Sequence, residues 1–364
     1  MEFGLFSNGF RPHGIAGDSY DEDIAEIVLA EELGFRDAYI SEHHGEPPYI
    51  GRVDTIPDPD LMMCKAAALT SRIRMGAAVK LIHIRHPLDV AIQSAVTSHM
   101  LGPGRYIFGF GTGFASPLFS VERGLTFEDR HERLSESLAA IIKCWNTQEP
   151  FDLDGKYWKG KGLVALPKPR DAAGPAMATA TDNEAMLKLA GQRGYTLLTT
   201  FQETPERVRA KTERYLSHAA GTGVANPLAN ITTSRIVYIA DTRQKAIEDL
   251  RAAVTYEVSV QAQRGFLKHL KAVYNLDIPN DHRAIDALVE AGIYMVGDAQ
   301  QVSHQLKDFY LTSGGFGTLL IVAGKAWATA AKRKESMRAF MREVAPQLRA
   351  LEQSVASVGL RAAV

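Results

Sequence analysis

EELGFRDAYISEHHGE, residues 31–46, contains the pattern from which the fold is read. Leu33 closes a run in which Ile24, Ile27 and Val28 recur at helical spacing, and Gly34 stops it. A short β-type run, Asp37 to Ser41, follows at once and breaks off in Glu42, His43, His44 and Gly45. Helix, glycine stop, buried strand and a polar cluster at the strand's end make one unit of an α/β protein.

The same unit recurs in both directions. Before it stand a strand from Glu2 to Ser7 and a helix from about Tyr20. After it, a loop rich in Pro and Asp (57–60) opens a helix to about Ser71, Ile73 to Lys80 is a strand, and His86-Pro87 opens a helix to about Leu101. Further strands fall at Gly104 to Gly109, Ala176 to Ala180, Tyr195 to Thr200, the β-branched run Thr232 to Ile239, and Gly317 to Ala323. Helices lie at Arg130 to Trp145, Asn183 to Gln192, Pro205 to His218, Gln244 to about Tyr274, Gln300 to Tyr310 and Ala328 to Leu351, with one more after the polar stretch 275–283. FDLDGKYWKG (151–160) reads as a hairpin turning at Asp154-Gly155. Eight strand–helix pairs without a break in composition predict one (β/α)8 TIM barrel over residues 1–364, with insertions at about 114–170 and 255–292. The second insertion mixes an amphipathic helix (Phe266, Leu267, Leu270, Val273) with a polar break, the pattern of a lid.

Composition narrows the function. The 364 residues are 46% hydrophobic and carry a formal net charge of −1, which gives no reason to expect nucleic acid or an anionic membrane as partner. Two cysteines, Cys64 and Cys144, sit far apart in no paired motif, so a disulfide framework or cysteine-ligated zinc is not expected and a reducing cytoplasm is. The start, MEFGLFSNGF, lacks a signal peptide's basic and apolar regions, and no apolar run is long enough to span a bilayer.

A barrel carries its chemistry at the C-terminal ends of its strands, and the clusters there are Ser7-Asn8, Glu42-His43-His44, Ala77-Ala78-Val79, Gly111-Thr112-Gly113 and Thr181-Asp182-Asn183. Neighbouring strand residues face opposite ways, so one of His43 and His44 reaches the mouth and the pair does not share a metal. Histidine titrates near neutral pH and suits proton transfer; the plainer reading is a ring held structurally by Glu42. The small side chains at 77–79 let a flat ring approach the backbone, or simply pack. Gly109, Gly111 and Gly113 are not placed as a dinucleotide fingerprint and instead open a strand end. Thr181, Asp182 and Asn183 open a helix, whose free amides bind phosphate or are merely capped. Lys80 and His83 are further pocket candidates, and His86 is read as structural.

EELGFRDAYISEHHGE, RIRMGAAVKL (72–81) with HP (86–87), GRYIFGFGTGF (104–114), PAMATATDNEAMLKLA (175–190) and VGDAQQVSHQL (296–306) leading to GGFGTLLIV (314–322) together resemble the bacterial luciferase-like flavin-dependent monooxygenases. The resemblance covers nearly the whole chain. It implies that reduced FMN, supplied by a separate NAD(P)H:flavin reductase, activates O2 for insertion of one oxygen atom into a small organic substrate. It implies His43 beside the flavin ring as the proton-handling residue, and a non-proline cis peptide at Ala78–Val79. Phosphate contact falls to Thr112, where the family commonly has arginine, to the Phe114 amide, and to Thr181, with Gly111 and Asn183 nearby. Asp182 is unwelcome beside a dianion and is read as an N-cap. A homodimer through the second and third helices is implied as well, where Ala66, Ala67, Ala68 and Ser71 meet Ala91, Ser94, Ala95 and Ser98; the same smooth faces suit packing onto the barrel's own strands. Alternatives are a deazaflavin-dependent oxidoreductase on the same barrel, a flavin-binding subunit without activity, and a metal-dependent hydrolase.

Overall fold

The strand Glu2–Phe10 (β1) alternates Phe3 and Leu5, buried in the main core, with Gly4 and Phe6 on the other face. That period of two fixes which side of the sheet each residue serves. The computed structural model describes residues 1–10, 16–44, 56–113, 124–263 and 265–357. In chain order the further strands are β2 (Asp37–Ile40), β3 (Arg74–Ala77), β4 (Tyr106–Phe110), β5 (Phe151–Asp154), β6 (Lys159–Leu163), β7 (Ala176–Thr179), β8 (Thr196–Thr199), β9 (Ile231–Ile239), β10 (Tyr294–Gly297) and β11 (Thr318–Lys325).

Eight of them close on themselves. The parallel order β1-β2-β3-β4-β7-β8-β9-β11 returns to β1, where Glu2 to Ser7 run in register with Thr318 to Ala323. The chain is a (β/α)8 barrel, as the sequence predicts. β5 and β6 form the expected antiparallel hairpin outside it. The Glu136 carboxylate accepts hydrogen bonds from the turn amides of Lys156, Tyr157 and Trp158.

Two expectations are corrected. Tyr294–Gly297 is a strand the periodicity did not reveal; it pairs with the second half of β9, Tyr294 opposite Ile236. It lies outside the closed barrel, as an addition to the eight strands that the strand–helix alternation supplies. The helix read as continuous from Gln244 to Tyr274 is two, Arg243–Gln263 and Phe266–Tyr274, and Gly265 caps the second with φ 74°. Ile278, Ala284, Ile285 and Leu288 of the same insertion, and Leu270 of Phe266–Tyr274, are buried in a second core with Leu250 and Val254.

Helix starts follow their capping residues. Asp58 accepts from the Asp60 amide before the helix Pro59–Ala67 (α2), and the His86 ring accepts from the Leu88 amide before Pro87–Leu101 (α3). His86 is therefore structural. The helix Ala16–Leu33 (α1) is tied to the turn before β3 by Glu31, which accepts from the amides of Ser71 at 2.9 Å, Arg72 at 2.6 Å and Ile73 at 2.7 Å. Burial alone would raise the pKa of this carboxyl, but the three amides and the Arg72 charge outweigh it and hold the group down from 4.5 to about 2.

A depressed folded-state pKa means the contribution of Glu31 is complete above pH 4.5 and is lost as pH falls towards 2. Glu31→Ala is expected to cost about 1 kcal/mol at neutral pH, since three amides lose their acceptor at a site open to water. Urea unfolding of both proteins at about pH 7 and about pH 3.5 should show the difference narrowing in acid; an equal difference at both would remove the carboxylate from the account.

Candidate active site

The mouth of the barrel is built where β3 and β4 run closest. A Cβ on Gly109 would lie 1.7 Å from the Ala77 carbonyl oxygen, and one on Gly111 would lie 2.7 Å from Val79 Cγ2 and 3.2 Å from the Ala180 carbonyl. These glycines serve close packing of strand ends rather than an opening to ligand. The Lys80 amide donates to the Gly109 carbonyl at 2.8 Å, and the Gly111 amide donates to the Lys80 carbonyl at 3.1 Å. The Ala78–Val79 peptide is cis.

Past this crossing the chain binds the second strand's end. The Leu81 amide donates to Glu42 Oε2 at 3.2 Å, while Glu42 Oε1 lies 2.9 Å from His44 Nε2. Glu42 is buried, and its carboxylate holds His44. His43 lies past the end of β2; it is half-buried and its amide donates to the Ile56 carbonyl at 2.9 Å.

Lys80 and His83 stand elsewhere than expected. Lys80 is fully buried and paired with Asp60 of α2, within reach of Ser94, in the layer between strands and helices rather than in the mouth. His83 lies on the one-turn helix Ile82–Ile84, buried, with neither ring nitrogen partnered among the described residues. Burial first, then the charges of Arg133, His131 and Arg130, pull its pKa down to about 4, so the ring is neutral at physiological pH.

At β7, the Asn183 side chain accepts from the Met186 amide and caps the helix Glu184–Arg193, the role assigned to Asp182 in the sequence. Asp182 instead pairs with Lys211 at 2.8 Å, and Lys211 reaches the buried Glu203 at 2.9 Å. Its carboxyl sits below the ordinary range: burial works against this, and the Lys211 charge and hydrogen bond win. The Thr181 hydroxyl accepts from the Asn183 amide at 3.0 Å, which leaves its own proton to donate. Thr112 is half-buried beside Gly111, and Phe114 lies outside the described residues.

Ringing the interior are buried polar atoms without partners among the described residues: Asn8 Oδ1, Ser41 Oγ, Thr200 Oγ1 and Gln202 Oε1. Natural proteins rarely leave such atoms unpaired, and a group of them at one strand-end mouth marks the place for a polar ligand. Sequence position alone pointed to Asn8; Thr200 and Gln202 carry no motif and were not singled out. By contrast, the enclosed space beside Trp327 is about 30 Å³, room for water only, and lies outside the strands among Val237, Ile321 and Met337. Among the described residues no group of three or more His, Cys, Asp or Glu is placed to hold a metal, and no helix is long and apolar enough to cross a membrane.

The family model described as luciferase-like monooxygenase matches residues 1–315. The 4-hydroxyprotoasukamycin monooxygenase of Streptomyces nodosus subsp. asukaensis is 26% identical over 375 residues, covering 99% of this chain and 95% of that protein. The F420-dependent glucose-6-phosphate dehydrogenase of Nocardia farcinica is 25% identical over 340 residues, covering 90% and 94%. Among solved structures, the oxygenating constituent of 3,6-diketocamphane monooxygenase from Pseudomonas putida, a type II Baeyer-Villiger monooxygenase in complex with FMN, superposes with a TM-score of 0.80 at 25% identity, over 95% of this chain and 98% of that one.

Proposed function

The chain belongs to the luciferase-like monooxygenase family, and on that premise we propose that it is an FMN-dependent monooxygenase that inserts one atom of O2 into a small organic substrate. The observation that carries the proposal is the mouth itself. The small side chains of Ala78 and Ala180, partly buried at the strand ends, would let a flat ring approach, and the unpartnered Asn8, Ser41 and Thr200 atoms at strand ends suit the polar edge of a flavin. The near full-length likeness to an FMN-bound oxygenase supports this choice of cofactor.

Reduced FMN, when bound, supplies the electrons that activate O2, the second oxygen atom leaving as water. The chain's part is to hold the ring, exclude water and place protons. Ala78 and Val79 would back the ring. Thr112, Thr181 and the amides from Asn183 onward, with Phe114, would take the phosphate, since a helix N-terminus favours an anion and Lys211 neutralises Asp182. His43 would hand protons to the reacting oxygen. The reduced flavin would come from a separate NAD(P)H:flavin reductase, and a cytoplasmic setting fits the two unpaired cysteines.

The second reading, a deazaflavin F420 oxidoreductase, has the Nocardia relative in its favour. The two separate on cofactor. With reduced FMN, O2 and a reductase, the purified chain should bind FMN and form an oxygenated product, while reduced F420 should bind more weakly and transfer no hydride. Tight F420 binding without FMN binding would reverse the assignment.

His43→Ala should keep FMN affinity and lose product formation about 10²–10⁴-fold, as expected when a proton-transfer group is removed. His44→Ala should instead lower thermal stability, because Glu42 loses its partner in a buried site. The reverse pattern would place the chemistry on His44.

A homodimer is part of the same proposal. The small residues Ala66, Ala91, Ser94, Ala95 and Ser98 are buried within the chain, so they pack onto its own barrel. Besides Lys65, Asp89 and His99, α2 and α3 leave apolar side chains outside: Leu61 and Met100 are 69% and 63% exposed, and Leu69 just past α2 is 60% exposed. An apolar patch of this kind marks an interaction face. Light scattering should give about twice the chain mass, and Met100→Glu should shift it towards the monomer; an unchanged monomeric mass in the parent protein would refute the dimer.

A further inference from the structure

Lys80 is the first residue past the Ala78–Val79 peptide, and it is held from two sides. Its backbone belongs to the mouth. The amide donates to the Gly109 carbonyl at 2.8 Å, and the carbonyl accepts from the Gly111 amide at 3.1 Å and from the Ile82 amide at 3.1 Å. Two residues earlier, the Ala78 amide donates to the Ile40 carbonyl at 2.8 Å. These bonds tie the ends of β2, β3 and β4 into one ledge.

The Lys80 side chain belongs to the helix layer. Its ammonium pairs with Asp60, in the first turn of α2, and comes within 3.5 Å of Ser94 Oγ on α3. Asp60 in turn lies 3.5 Å, through its other carboxylate oxygen, from the hydroxyl of Tyr106, the first residue of β4. Lys80 and Asp60 are 1% and 2% exposed, so neither charge can turn to water instead. The pair joins α2 and α3 to β3 and β4, on the helix side of the residues proposed to back the flavin ring.

Energetics limit what such a link can do. Removing two ions from water costs nearly as much as their attraction returns, so an apolar pair of similar volume would fold about as well. What the ion pair adds is direction. A charge-assisted hydrogen bond fixes where the end of a four-carbon stem must lie, whereas a methionine in its place is free to settle in several rotamers.

Resting on the reading of the chain as a flavin-dependent oxygenase, we infer that Lys80, anchored by Asp60, is a positioning residue for the flavin. It touches neither flavin nor substrate. It acts through the backbone, setting the place of Ala78–Val79 and of the β4 end against which the ring lies.

The test uses the full chain and two variants. Asp60→Asn combined with Lys80→Met removes both charges at nearly constant volume, and Asp60→Glu keeps both charges but lengthens the link by one carbon. Thermal denaturation reads stability, hydrogen–deuterium exchange follows the amides of Lys80 and Gly111, and fluorescence titration gives the FMN dissociation constant. The neutral pair should melt within about 5 °C of the parent protein. It should exchange those two amides at least about 10-fold faster and bind FMN about 10-fold more weakly. Asp60→Glu should move both readouts in the same direction by about 3-fold. Unchanged exchange at Lys80 and Gly111 would overturn the anchoring, and unchanged FMN affinity in both variants would overturn the positioning role. If the neutral pair does not fold, Asp60→Glu decides on the same two readouts; if neither folds, the pair serves the fold alone and the inference is overturned. Failure of the oxygenase reading looks different: the parent protein itself binds no FMN, while the exchange rates still decide whether Asp60 and Lys80 hold the ledge.

Discussion

The approach of Gly109 to Ala77 is the contact on which the site's geometry depends. With any side chain at 109 the two strand ends could not lie where they do, because its first carbon would overlap the Ala77 carbonyl. From that contact a chain of hydrogen bonds runs outward: Lys80 amide to Gly109, Gly111 amide to Lys80, Leu81 amide to Glu42, and Glu42 to His44. Each link fixes the next, and the last one restrains His44. The barrel supplies the strands, but this crossing aims their ends.

The buried charges follow a rule of placement. Lys80 with Asp60 and Arg235 with its carbonyls and Phe309 sit between strands and helices, and Lys211 with Glu203 sits beyond the end of β8. Burial first, partly offset by Glu203, pulls the Arg235 pKa to about 9, which still leaves it charged at neutral pH. Such pairs add little net stability, because the cost of removing two ions from water nearly cancels their attraction. Their effect is on alignment: a helix that slid by one turn would strand a buried charge. Among the described residues these charges are thereby held outside the barrel interior.

Much of this was legible in the sequence, and the gaps have physical causes. The eight barrel strands could be read because a fully buried parallel strand is a short apolar run between turn residues, and Asp37–Ile40 and Thr318–Lys325 are just that. Tyr294–Gly297 is a run of the same kind and was missed because eight strand–helix pairs already complete a barrel without it. The cluster positions at strand ends were legible, but side-chain roles within them were not. Asp182 and Asn183 are both good caps, and only the position of Lys211 on another helix draws the aspartate away. Lys80 follows a strand that points at the mouth, yet its bond to Gly109 marks it as still in the sheet, one face removed. The Phe6–Phe201 contact could not be read at all, since it joins residues 195 positions apart through the closure of the barrel.

The choice of His43 for proton transfer is strengthened by what its neighbours are already committed to. A useful group must change protonation near neutral pH and sit at the mouth. Tyr39, one layer deeper, fails on the first count: burial and then the Asp37 charge push its phenol far up. His83 fails in the opposite sense, since burial first and then the Arg133, His131 and Arg130 charges pull its pKa down to about 4, so at neutral pH it is not the imidazolium that a general acid needs. Glu42 is buried and committed to both the Leu81 amide and His44, two contacts that shape the loop. Lys80 and Asp60 neutralise each other away from the mouth. His44 is bonded to Glu42. His43 is the other half-buried imidazole at this strand end, and it is the one proposed to carry protons.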